Sequence, residues 1–241
     1  MEVDFSILLR LLTAHVLAEF FFQPRGWVDR KRKRNVLEVR FWYHIGIVGI
    51  TTYLLLMDWD NWQIPLLVMV SHTLIDSIRI KVGKDTTTAF LMDQMAHMTV
   101  IIGIWILLLV PNELLEQIPL AFIFKDERWW VFLLGYLLNT LPAAVLIRYL
   151  TRHWSHAMEE PETGLRDAGK YIGILERILI FTFILMNELR AIGFLLAAKS
   201  VFRFGDLKDN KDRKKTEYIL LGTLLSFVVS ILLGLLLRFM I

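Results

Sequence analysis

The chain contains no cysteine. That absence excludes disulfides, thiolate metal sites, iron–sulfur clusters and cysteine nucleophiles. Any metal has to be held by histidine and carboxylates. The opening residues, MEVDFSILLR, lack the basic start of a secretory signal, so the first apolar segment reads as a retained helix. No Walker loop, Rossmann glycine pattern or G-x-S-x-G elbow occurs, which leaves ATP-driven and serine-hydrolase readings without support. Alternating apolar and polar residues are also missing from the long runs. These are continuous and rich in Leu and Ile, against a β-barrel.

What the chain has is apolar length. Of its 241 residues 56% are hydrophobic, against about 45–50% in a soluble domain, and the mean hydropathy is +0.51. Several runs exceed the roughly 18 residues of a membrane-spanning helix. The reading is an all-α integral membrane protein, a helical bundle of about seven or eight membrane segments. Candidate spans are 4–23, 41–57, 62–80, 89–110, 128–149, 171–202 and 217–240, and 112–124 reads as interfacial. Residues 1–110 form a four-helix membrane domain and 111–241 a C-terminal membrane domain. The pI near 9.1 implies no nucleic acid, because Lys and Arg collect in cytoplasmic loops.

Loop charge sets the orientation. Loop 24–40 carries seven Lys/Arg, loop 58–61 none and loop 81–88 two Lys. Loop 111–127 is acidic, and 148–170 is basic again. The alternation fits five crossings with the N-terminus outside, in a bacterial cytoplasmic membrane. The basic loop 203–215 breaks the pattern unless 171–202 crosses twice. Its NELR (187–190) separates two apolar runs, so a hairpin or broken helix is expected there. In the last span Gly222, Ser226, Ser230 and Gly234 recur every four residues, a small-residue stripe for packing within the chain or for a homo-oligomer.

Against this apolar background stand pairs of titratable residues. His15 and Glu19 are four apart, as are His72 and Asp76, and Asp93 and His97. At 3.6 residues per turn each pair shares one helix face. His44 adds a fourth imidazole. With the N-terminus outside, all seven lie one to three turns from the cytoplasmic ends of four antiparallel helices, a depth that follows from loop charge and not from the pairing. A bundle can assemble such groups into a carboxylate–His metal centre. The donor set suits Zn, Mn or Fe, one ion or two about 3.5–4 Å apart.

A lone His–Asp pair in a membrane helix serves as often as a hydrogen-bonded packing device. Three pairs and His44 at one depth favour a metal site. The expected ligands are His15, Glu19, His44, His72, Asp76, Asp93 and His97. Glu19 serves as ligand or general base, and Gln23 as a hydrogen-bond partner of water or substrate. The leading function is a metal-dependent hydrolase of a lipid or lipid-linked phosphate, with membrane lipids as partners. The alternatives are a proton or divalent-cation transporter using the same residues, and a subunit in which the cluster only holds the bundle. Glu176, Arg177 and Lys199 mark either internal salt bridges or a headgroup groove, and His153 and His156 read as loop residues.

The strings TAHVLAEFFFQP, SHTLIDSIRIK and FLMDQMAHM resemble a bacterial membrane family catalogued as domain of unknown function 3307. The family pattern is an H-x-x-x-D-F-x-x-Q opening, an H-x-x-x-D helix and a D-Q-x-x-H helix. The resemblance covers roughly residues 5–110, and the second half is similar to the C-terminal region of longer members. Glu19 stands where the family has Asp, which keeps the carboxylate and lengthens it by one methylene. The resemblance implies a membrane fold and brings no activity with it.

Overall fold

A computed structural model of the chain describes residues 5–24, 26–27, 38–83, 85–109, 128–155, 168–201 and 210–239. Among these all regular structure is helical. The sequence expectations for 112–124, His156 and most of loops 24–40 and 203–215 lie outside the described residues. Two compact units follow each other along the chain, one through Leu134 and one from Gly135 to Phe239.

The first unit begins with α1 (Phe5–Val16), which widens into a π-helical turn over Leu17–Phe21. Helix α2 (Val39–Leu56) ends on Met57 in the left-handed region. Helix α3 (Gln63–Val82) stops at Gly83, whose φ of +65° and N–H bond to the Arg79 carbonyl (3.3 Å) form a left-handed cap that glycine adopts without Cβ strain. Helix α4 (Thr87–Leu109) starts behind Thr86, whose Oγ1 accepts the Ala89 N–H. Helix α1 packs on α2 and α4, and α3 packs on α2 and α4, so the four close a ring.

Large apolar side chains point outward, Ile50, Leu74, Ile78 and Leu107 among them, while hydroxyls such as Thr13, Thr51 and Thr73 bond the carbonyl one turn back. An apolar exterior with internally satisfied polar groups is what a lipid solvent demands.

In the second unit α5 (Arg128–Leu138), whose first turns belong to the preceding unit, breaks at Asn139–Thr140 and continues as α6 (Leu141–Ser155). Helix α7 (Ala168–Leu185) is followed by Asn187 at φ +62° and by α8 (Leu189–Val201). Asparagine tolerates this left-handed conformation. The chain reverses here, and Lys199 Nζ returns to 2.5 Å from Glu176 Oε2. Helix α9 (Asn210–Arg238) packs on α7 and α6. Its Ser226, Ser230 and Gly234 are buried within the chain.

Among the described residues four helices are long and apolar enough to cross a membrane: Val39–Leu56, Thr87–Leu108, Arg128–Ser155 and Thr216–Arg238. The other expected spans miss that standard for visible reasons. Phe5–Phe21 is short, and α8 has 13 residues. Helix α3 carries His72, Asp76 and Arg79, and α7 carries Lys170, Glu176 and Arg177. His153 lies exposed in the last turn of α6 and not in a loop, because the helix runs on past the apolar stretch.

Candidate metal centre

The π turn places the first functional group. Phe22 N–H bonds back five residues to the Leu17 carbonyl (2.9 Å), and Glu19 sits within the widened turn. Such turns inside helices are frequent at functional sites. His44 is in the second turn of α2, His72 and Asp76 in the last three turns of α3, and Asp93 and His97 in the first three turns of α4. Because neighbouring helices run antiparallel, all these positions fall at one end of the ring.

The side chains converge. His44 and His72 face each other with Nε2 atoms 3.0 Å apart. Glu19 Oε2 lies 3.2 Å from His44 Nε2 and 3.7 Å from His72 Nε2. Asp76 Oδ2 lies 3.9 Å and 4.0 Å from the same two nitrogens. The His97 ring lies tilted beside that of His72, with centroids 4.1 Å apart. Relative exposures are 0% for His44, 2% for His72, 3% for His97 and 5% for Asp76. Among the described residues two three-residue sets bring their donor atoms within 4.8 Å of one another, close enough for one ion, Glu19/His44/His72 and His72/Asp76/His97.

The spacing suits coordination. Two donors each about 2.0–2.1 Å from one tetrahedral ion lie about 3.3–3.4 Å apart. The three edges of the first set, 3.0, 3.2 and 3.7 Å, bracket that value.

Proton positions suit it too. His97 Nδ1 is 2.9 Å from the Asp93 main-chain carbonyl. A carbonyl only accepts, so Nδ1 carries the hydrogen and Nε2 keeps its lone pair. That Nε2 is buried and has no hydrogen-bond partner among the described residues. A histidine fixed through Nδ1–H to a carbonyl, with Nε2 left bare, is the usual arrangement of a metal-bound imidazole. His44 Nδ1 is likewise buried without a partner.

Five of the seven expected ligands therefore share the two sets, and two stand beside them. The Asp93 carboxyl accepts from Gln94 Nε2 at 3.3 Å, so it is the Asp93 main chain that serves His97. His15 Nε2 meets Gln94 Oε1 at 3.4 Å, with its ring 5.1 Å from that of His97 and 5.8 Å from that of His72. Gln94 is the residue that sequence reasoning missed. Its only signal was its place beside Asp93 in the DQ pair. Gln23 is buried, and its Nε2 has no hydrogen-bond partner among the described residues.

No curated protein and no solved structure matches the chain. A family does match, over a stretch that holds every residue of the cluster and extends past the segment expected from the motifs. Over residues 7–122 the chain belongs to the family described as Protein of unknown function (DUF3307).

Proposed function

We propose that the first unit is an intramembrane centre for a divalent ion, held by Glu19, His44, His72, Asp76 and His97, and that it hydrolyses a lipid or lipid-linked phosphate at the cytoplasmic face of a bacterial inner membrane. The observation that carries this reading is the convergence of two imidazole nitrogens and a carboxylate oxygen with edges of 3.0, 3.2 and 3.7 Å. An N/O donor set without sulfur suits Zn, Mn or Fe. Such an ion, when bound, polarises a phosphoryl oxygen. Glu19 is positioned to act as ligand or as proton acceptor. The Gln23 amide offers a buried donor to a phosphate oxygen.

One-sided access supports an enzyme over a conduit. Beyond the cluster the ring is filled by Leu11, Leu56, Ile64, Ile101 and Trp105. Ile64 lies eight residues before His72 and Trp105 eight after His97, about 12 Å along each helix. A transit path has to lead polar groups through that half. Phe5–Phe21, α3 and α7 are read as lying in the bilayer beside the four candidate spans, which makes seven segments, or eight with α8. The basic residues of 24–40 mark the cluster end as cytoplasmic.

The test uses the purified full chain in detergent–lipid micelles containing phosphatidic acid or a polyprenyl phosphate, with Zn²⁺ or Mn²⁺ supplied. Phosphate release that needs the metal and disappears in His72→Ala supports the hydrolase. Metal binding without release, together with ion uptake into proteoliposomes, would replace it with transport.

A further inference from the structure

The two ligand sets overlap, and the overlap limits how many ions they can hold. His72 belongs to both. Its Nε2 is the atom that lies 3.7 Å from Glu19 Oε2 and 4.0 Å from Asp76 Oδ2. A neutral imidazole presents one lone pair, so His72 Nε2 can bind one ion at a time. A dinuclear centre needs a set of protein donors for each ion, with the ions about 3.5–4 Å apart. Once His72 is assigned to either set, the other keeps only two residues.

The two neighbours beside the gap, Asp93 and His15, place no donor atom in either set. Asp93 Oδ2 takes the Gln94 N–H while Asp93 Oδ1 is buried without a hydrogen-bond partner among the described residues, and His15 Nε2 meets Gln94 Oε1. Gln94 fixes these roles. Its Nε2 donates to an acceptor, so its Oε1 has to face His15, whose Nε2 must then carry the hydrogen. His15 therefore has no Nε2 lone pair to offer an ion.

Charge leads to the same number independently. The two sets contain two carboxylates, Glu19 and Asp76, and three imidazoles. One divalent ion makes the group neutral when the carboxylates are ionised. A second brings four positive charges against these two carboxylates, or three with the neighbouring Asp93 counted, in a site whose histidines are at most 3% exposed, and burying net charge costs several kcal/mol or more.

Resting on the metal reading above, we propose that the cluster binds a single divalent ion, with His72 as the ligand it cannot do without and Glu19 and Asp76 on either side, while His15, Gln94 and Asp93 lie outside the coordination sphere. Losing one flanking ligand then weakens the site without emptying it, because the other set remains. Losing His72 removes both sets.

The experiment is a binding titration of the detergent-purified full chain, stripped with chelator, with Zn²⁺ alone and with Mn²⁺ alone, followed by elemental analysis. Wild type is expected to saturate at one ion per chain. Glu19→Gln and His97→Ala are expected to bind at least about tenfold more weakly and still reach one ion at high metal. His72→Gln, which keeps the side-chain volume, is expected to bind none while eluting as wild type does in gel filtration. Saturation at two ions, or one ion retained at wild-type affinity in His72→Gln, would overturn the single-ion centre and leave the metal reading standing. A wild-type chain that binds no ion would sink the metal reading itself.

Discussion

At the scale of single residues the site depends on where hydrogens and lone pairs are fixed. Gln94 bridges Asp93 and His15, and the Asp93 main chain fixes His97. Replacing Gln94 by Leu removes both polar partners and leaves the helix face apolar. Metal affinity should fall by about tenfold, the usual size of an outer-ligand effect, with the folded helical content kept. Unchanged affinity would show that the Gln94 contacts do not matter.

The i, i+4 spacing made each His–carboxylate pair legible in the sequence, since helix geometry fixes the shared face. It could not say which pairs meet. His44 finds His72 at 3.0 Å across two helices, and that depends on helix rotation. Nor could it show that the Asp93 carboxyl turns to Gln94, because spacing gives a face and not a rotamer.

At the scale of helices, two interruptions have different origins. The break at NELR was visible because charges split an apolar run, and the helix does stop there, on a left-handed Asn187 capped by Arg238 Nη1 at 2.8 Å from Asn187 Oδ1. The break at Asn139–Thr140 was invisible, because it sits inside a run of apolar residues. Its stabilising partner comes from another helix. Arg177 Nε donates to the Asn139 carbonyl (2.8 Å), Nη2 to the Thr140 carbonyl (3.1 Å) and Nη1 to Ser226 Oγ (3.0 Å). Ser230 Oγ, 2.7 Å from Asn139 Oδ1, joins the same network.

The guanidinium thus supplies the bond that the Asn139 carbonyl lacks at the break, where lipid offers no water to do so, and adds a second donor to the Thr140 carbonyl, which also accepts the Ala144 N–H (3.1 Å). Lysine cannot span three acceptors in that fixed geometry. Arg177→Lys is expected to cost about 1–3 kcal/mol for the Asn139 carbonyl left unbonded, read as a lower unfolding temperature in detergent. An unchanged temperature would contradict this role.

Gly135, one turn earlier, is a packing requirement. A Cβ there would lie 2.3 Å from Phe181 Cζ and 2.9 Å from Leu237 Cδ1. The Phe181 ring is fully buried and has little room to retreat. Gly135→Ala should therefore destabilise the fold by about 1–3 kcal/mol, and a variant as stable as wild type would contradict the packing argument.

At the scale of the whole molecule, hydropathy revealed a helical membrane protein, and the position of each titratable residue along its helix put them at one end of the ring. They were less informative about segment number. The residues that make α3 a site, His72 and Asp76, together with Arg79, are the ones that lower its apolar character. The apolar filling of the other half of the ring, around Leu56, Ile64 and Trp105, predicts that proteoliposomes holding the full chain leak Zn²⁺ and Mn²⁺ no faster than protein-free vesicles. Flux that depends on His72 would contradict a one-sided site.

The central claim, that these side chains coordinate a metal, is tested most directly by X-ray absorption on the Zn²⁺-loaded protein. Only N and O neighbours at about 2.0–2.2 Å are expected, with an outer-shell signal from imidazole rings and loss of that signal in His72→Gln. Bound zinc with an all-oxygen, water-like shell and no imidazole contribution would contradict it.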